Sequence, residues 1–151
     1  MGNYDFKKDL KIAQKTEKEM AQLIHEGLGV DLDDIEIGKT KDYDIRFPFK
    51  GKHYTVEIKE DFMCAKTGNV CVEYESRGKP SGINATKSDM YFYKIHQPNG
   101  DVEVYGMKTA TLRQKIENHQ YFRTVTGGDA GSFTKSYLFK LDKFKANSTL
   151  L

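Results

Sequence analysis

Residues 43–61 read YDIRFPFKGKHYTVEIKED. Tyr43 to Phe47 and His53 to Ile58 each alternate apolar with polar side chains, the period-two signature of a strand with one buried face. A two-residue turn at Lys50-Gly51, with Gly51 supplying a positive φ, folds the two runs into a hairpin. Phe49 then pairs with Lys52, Phe47 with Tyr54, Ile45 with Val56 and Tyr43 with Ile58, so one face is apolar throughout. On the other face Arg46 opposes Thr55, and Asp44 opposes Glu57. Directly opposed side chains have Cβ atoms roughly 4.5–5.5 Å apart. Two carboxylates at that distance repel unless something neutralises them, and a hard divalent cation such as Mg²⁺ takes carboxylate oxygens. Lys59 follows two residues beyond Glu57 on the same face.

Upstream, the spacing of Phe6, Leu10, Ala13, Met20, Ile24 and Leu28 predicts a helix over 5–28, ended by Gly27 and Gly29. Glu17 falls in the stripe 10, 13, 17, 20, 24. A charge there sits at the edge of the stripe or has a partner inside. An inward Glu17 reaches the Asp44/Glu57 pair as a third carboxylate. Asp31, Asp33 and Asp34 form an acidic connection that lacks the Gly and distal Glu of an EF-hand loop.

Downstream, Asn69 to Glu75 is predicted to be a third strand, with Cys71, Glu73 and Glu75 on its polar face. If that face is shared with the hairpin, Glu73 or Glu75 joins the acids. Residues 77–88 carry Arg77, Lys79 and Lys87, with a short helical turn from Gly82 to Thr86. Met90 to Ile95 reads as a buried strand, followed by a turn at 98–101 and a returning strand from Val102 to Met107. A second helix spans Lys108 to His119, capped by Thr109 with Leu112 and Ile116 inward. Tyr121 to Ser132 is predicted as a loop, Phe133 to Leu141 as the last strand, and the residues after Lys145 as a frayed tail. The glycines at 127, 128 and 131 are not followed by the Gly-Lys-Ser/Thr of a phosphate-binding loop.

The 151 residues suit a single domain over 1–151. Hydrophobic residues make up 38% and charged residues 30%, and no apolar run approaches ~18 residues, which predicts a soluble chain with no membrane span. No signal-peptide core stands at the N-terminus, and two cysteines are too few for a disulfide framework, so the expected setting is reducing and cytoplasmic. The charge is divided unevenly. Residues 1–75 hold 12 Lys/Arg against 16 Asp/Glu, net −4, and residues 76–151 hold 12 against 6, net +6. An acidic half able to hold metal, joined to a basic half able to hold phosphate, suits a polyanionic substrate.

Asp44, then Glu57-Ile58-Lys59 on the next strand, behind an N-terminal helix, resembles the PD-(D/E)XK nuclease superfamily over roughly residues 6–95. Within it the chain resembles restriction endonuclease-like and Holliday-junction-resolvase-like members. The stretch Ser81-Gly82-Ile83 … Thr86-Lys87-Ser88-Asp89 is similar to small phage-type ones. The resemblance implies an α+β (α/β/α) fold, a central mixed sheet flanked by helices. It implies that Asp44, Glu57 and the Ile58 carbonyl bind Mg²⁺ or Mn²⁺, that Lys59 orients or helps deprotonate the attacking water, and that Glu17 is the helix carboxylate. The family's Pro-Asp is Tyr43-Asp44 here.

The expectation is therefore a Mg²⁺-dependent DNA endonuclease. Its partner is duplex or branched DNA, contacted by Arg77, Lys79 and Lys87, and a homodimer suits the cutting of two strands. The competing readings are a catalytically silent nucleic-acid-binding protein of the same fold and a protein–protein interaction domain in which Glu57 and Lys59 are surface charges.

Overall fold

A computed structural model describes residues 6–38, 40, 42–128 and 131–151, leaving out the side chains of Phe6, Lys7 and Asp9. Asp5, at the start of the predicted first helix, and the Phe6 side chain in its stripe lie outside the described parts, as do Asp129 and Ala130 of the predicted loop. The chain runs α1 (Phe6–Leu28), β1 (Glu36–Ile37), β2 (Ile45–Phe49), β3 (Lys52–Asp61), α2 (Cys64–Thr67), β4 (Asn69–Ser76) and β5 (Lys79–Pro80). It continues with β6 (Met90–His96), β7 (Val102–Lys108), α3 (Thr109–Glu117), β8 (Arg123–Gly127), β9 (Thr134–Lys140), α4 (Leu141–Ala146) and β10 (Thr149–Leu150). Single 3₁₀ turns lie at Leu32–Asp34 and Gly82–Asn84.

The class is α+β, built on a mixed six-stranded sheet in the order β1-β2-β3-β6-β7-β10. The hairpin of β2 and β3 has the register expected from the sequence, from Phe49↔Lys52 through Ile45↔Val56. Lys50 (φ 50°) and Gly51 (φ 80°) both take positive φ, as the tight two-residue hairpin turn demands. The expected pairs Asp44–Glu57 and Tyr43–Ile58 do not extend the ladder. The Asp44 N–H still donates to the Val56 carbonyl (2.9 Å), but the Ile58 N–H turns to the Asp44 side chain instead of the β2 backbone. After β3 the chain leaves the sheet and returns as β6, parallel to β3 with Glu57 level with Tyr91 and Lys59 with Tyr93.

Alternation on β3 and β6 gives this sheet two different faces. Val56 and Phe92 lie with Ile45 and Phe47 under Met20, Ala21 and Ile24 of α1. Tyr91, Tyr93 and Ile95 face the other way, toward Val70 and Val72 of β4, Phe139 of β9, Leu112 of α3 and Phe144 of α4. That second flank differs from the expected layer of helices. It is filled by an antiparallel four-stranded sheet, β5-β4-β9-β8, together with the short helices. β4, expected beside the hairpin, belongs to this second sheet. Its Val/Glu alternation is satisfied equally by either partner, because one apolar face is all that alternation specifies.

Three further expectations are corrected. Residues 123–127 form β8 against β9 rather than a loop, since their small and β-branched side chains suit an exposed outer strand. The C-terminal segment is not frayed: Phe144 is buried on α4, and Leu150 pairs with Tyr105 of β7. Helix α3 starts without a side-chain cap, and Thr109 is buried instead of capping it. Among the described residues no helix is long and apolar enough to cross a membrane. Cys64 and Cys71 are free thiols, the Cys64 thiol pushed up to about 12 by burial and by Asp61.

Candidate metal centre

The acids meet where β2 begins beside the middle of β3. Asp44 immediately precedes β2, and its Oδ2 accepts the Ile58 N–H at 2.7 Å. A strand residue directs its N–H and C=O to the same neighbour. The Ile58 carbonyl therefore faces the edge on which Asp44 sits, past the end of the β2 ladder. Glu57, one residue earlier on β3, holds the Lys59 ammonium at 3.5 Å from its Oε1. Thr86 Oγ1 lies 3.4 Å from Glu57 Oε2.

Both carboxyls titrate above the usual carboxylate range. For Asp44 the main cause is burial, offset by the Ile58 N–H and by Lys59. For Glu57 burial leads again, followed by the negative charge of Asp44, with Lys59 and Thr86 opposing. The repulsion that hairpin arithmetic anticipates is thus present, although Asp44 reaches it from beyond the ladder. Lys59 opposes it, and burial keeps both values raised.

Glu17 is half-buried and lines a cavity of about 130 Å³ with Asp44, Ile58, Glu60, Thr16 and Ala13. The residue turned fully inward on α1 is its neighbour Thr16, while Leu10, expected in the buried stripe, is exposed. The stripe therefore runs through 16, 20 and 24, with Glu17 on its flank. Among the described residues no three His, Cys, Asp or Glu side chains converge on one point. The oxygen donors gathered here are two carboxylates and one backbone carbonyl, with Glu17 across the small cavity.

Of the predicted phosphate contacts, Lys87 is tied to the site. Its N–H donates to the carbonyl of Asp42 (3.2 Å), two residues before Asp44, and its side chain is exposed. Arg77 and Lys79 lie earlier in the chain, Arg77 in the exposed turn between β4 and β5 and Lys79 at the start of β5. Glu75 pairs with Lys135 of the second sheet at 3.1 Å, whereas Glu73 lines the cleft that Lys59 borders.

Two features of the surroundings escaped sequence reasoning. Arg113 of α3 donates to the carbonyls of Ile83 (3.2 Å) and Thr86 (2.8 Å), fixing the loop that carries Thr86 and Lys87. Lys94, in the apolar run of β6, is 5% exposed. Its ammonium contacts Glu19 Oε2 (2.8 Å), Thr16 Oγ1 (3.1 Å) and Glu60 Oε2 (3.6 Å). Glu60 also meets His96 Nε2 at 2.6 Å, and Phe62 stacks on that imidazole. A buried ammonium needs such partners. The signal in the sequence was one Lys inside Met-Tyr-Phe-Tyr-Lys-Ile-His, level with Glu60 on the parallel strand. The network pins α1 to the sheet within the turn that carries Glu17.

No protein-family model matches the chain, and no curated protein is similar enough in sequence to count as a relative.

Proposed function

We propose that the protein is a metal-dependent DNA endonuclease of the PD-(D/E)XK type. The observation that carries this reading is the meeting of Asp44 and Glu57 with Lys59. Burial holds both carboxyls above their ordinary pKa, the charge of Asp44 adds to this at Glu57, and the Lys59 ammonium pairs with Glu57 at 3.5 Å. The topology supports it too. Helix α1, the antiparallel β1–β2–β3 meander and a parallel β6 share one mixed sheet as such a core would, although β4, expected beside the hairpin, lies in the second sheet. The second sheet covers the far flank.

The donor set fits a hard cation: only oxygens, two of them anionic, with a strand carbonyl on the same edge. Asp44, Glu57 and the Ile58 carbonyl are the groups that would hold Mg²⁺ or Mn²⁺, with Glu17 across the cavity as an auxiliary acid. When bound, such an ion polarises a phosphodiester oxygen and lowers the pKa of coordinated water. The chain's own groups do the rest. The Ile58 N–H fixes Asp44 Oδ2, and no donor among the described residues occupies Oδ1. The half-exposed Lys59 ammonium is positioned to orient the attacking water and to offset charge accumulating on the phosphate oxygens. Lys87 meets the phosphate backbone beside it. Farther round, Lys115 and Lys143 border a cavity of about 520 Å³ with no acidic lining, and Lys140 sits over the exposed Phe122 ring (4.3 Å), extending the basic half of the molecule.

Calorimetric titration with Mg²⁺ and Mn²⁺ tests the reading. One site is expected in the wild type and none in Asp44→Ala. Absence of binding with and without DNA favours the competing interaction-domain reading and removes this one.

A further inference from the structure

Between the two sheets, next to the Glu57/Lys59 pair, lies a cleft of about 240 Å³. Lys59, Glu60 and Asp61 of β3, Tyr91 and Tyr93 of β6 and Glu73 of β4 line it. Tyr91 is 1% exposed, yet its hydroxyl has no hydrogen-bond partner among the described residues. The Glu73 carboxylate likewise has neither a hydrogen bond nor an ion pair there, whereas Asp61 is spent on the N–H groups of Met63 and Cys64. Gly82, at φ +51°, closes one end so tightly that a Cβ would collide with the Glu73 carbonyl.

A buried hydroxyl without a partner is costly and is seldom left so. The pair it forms with Glu73 is selective. Glu73 accepts only, and the Tyr91 hydroxyl can donate. Three carboxylates in the lining, Glu60, Asp61 and Glu73, disfavour a phosphate inside the cleft. A volume below the usual range for drug-sized ligands, roughly 300 Å³ upward, excludes a duplex and suits one flat heterocycle. Carboxylates read the exocyclic amino group of a base, and enzymes that take a base out of the stack hold it against aromatic walls through its Watson–Crick edge.

We propose that this cleft receives one unpaired, amino-bearing base, cytosine or adenine, with Glu73 accepting from its amino group and Tyr91 donating to the neighbouring ring nitrogen. Lys59 then stands between the base pocket and the metal centre, and holds the phosphate attached to that nucleotide. The inference rests on the nuclease reading and narrows its substrate to nucleic acid with an unpaired nucleotide beside the scissile phosphate.

The test uses three labelled duplexes of one sequence: fully paired, with a single bulged cytosine, and with a single bulged thymine. Affinities are measured by fluorescence anisotropy in EDTA, so no cleavage intervenes. The wild type is expected to hold the bulged cytosine about 5- to 10-fold tighter than the paired duplex, the yield of about one good hydrogen bond, with bulged thymine close to the paired value. Tyr91→Phe removes a hydroxyl that no protein group uses, so it should fold, with melting temperature as the check. It is expected to erase most of the cytosine advantage, as is Glu73→Ala. Equal affinity for all three duplexes, no binding to any of them, or an undiminished advantage in Tyr91→Phe overturns the proposal. Cleavage of the same duplexes by the wild type in Mn²⁺ separates the two readings. Cutting without preference leaves the nuclease and removes the pocket; preference without cutting does the reverse.

Discussion

Asp44→Asn takes one negative charge from the half-buried pair while keeping a side-chain oxygen to accept the Ile58 N–H. Two unit charges as close as about 5 Å would repel by about 3 kcal/mol at an effective dielectric constant of 20, an upper bound for this pair. Lys59 at 3.5 Å from Glu57 offsets part of this, and solvent screening of half-exposed groups reduces it further, to about 1 kcal/mol. The upward displacement of the Asp44 pKa fixes the sign: even with its hydrogen bond counted, folding favours the neutral form. Thermal denaturation at pH 7 in EDTA should therefore show Asp44→Asn melting roughly 2–4 °C above the wild type. Adding 10 mM Mg²⁺ should reverse the order. For a site with a dissociation constant of about 1 mM, the wild type gains about 1.4 kcal/mol and the variant nothing. A variant less stable than the wild type in EDTA, or one stabilised by Mg²⁺ to the same degree, refutes the reasoning.

The same pair predicts a pH signature. Both folded-state pKa values lie above the unfolded ones, so their contribution to stability is fully present below about pH 4 and lost as pH rises through the raised values. The melting-temperature gap between Glu57→Gln and wild type, measured in EDTA, should be near zero at pH 4 and widen toward pH 7; a constant gap contradicts it. Lys59→Ala should retain Mg²⁺ binding by calorimetry while cleaving about 100- to 1000-fold more slowly, and parallel loss of both would make Lys59 a structural residue. Lys94→Met strands Glu19 and Glu60 without their buried cation. It should cost about 3 kcal/mol and lower the melting point by roughly 6–12 °C, partly restored by adding Glu60→Gln; an unchanged melting point would show the network to be idle.

How much of this was legible depended on what kind of signal each feature left. The β2–β3 register was readable because a two-residue turn admits a single pairing, and every pair from Phe49↔Lys52 to Ile45↔Val56 kept its apolar partners together. The ladder's last step was not, since nothing in the alternation says that the Asp44 carboxylate will take the Ile58 N–H. The assignment of β4 to a second sheet was hidden for a related reason: alternation gives a strand's face but not its neighbour. Glu17 was placed in the buried stripe by fixed spacing, but the helix buries Thr16 and leaves Glu17 on the flank, still lining the cavity with Asp44. Lys94 was concealed by its apolar neighbours. Its role follows only from the parallel pairing that sets it beside Glu60, a contact between residues 34 positions apart.

The central claim is that Asp44, Glu57 and Lys59 form a metal-dependent phosphodiesterase site. A cleavage panel across duplex, nicked, branched and single-stranded DNA, with Mg²⁺ or Mn²⁺ and with excess EDTA, puts the question most directly. The account predicts that the wild type cuts at least one of these substrates in the presence of metal, that EDTA stops it, and that folded Asp44→Ala is inactive. Cleavage that persists in EDTA or in Asp44→Ala, or none on any substrate with either metal, would contradict it.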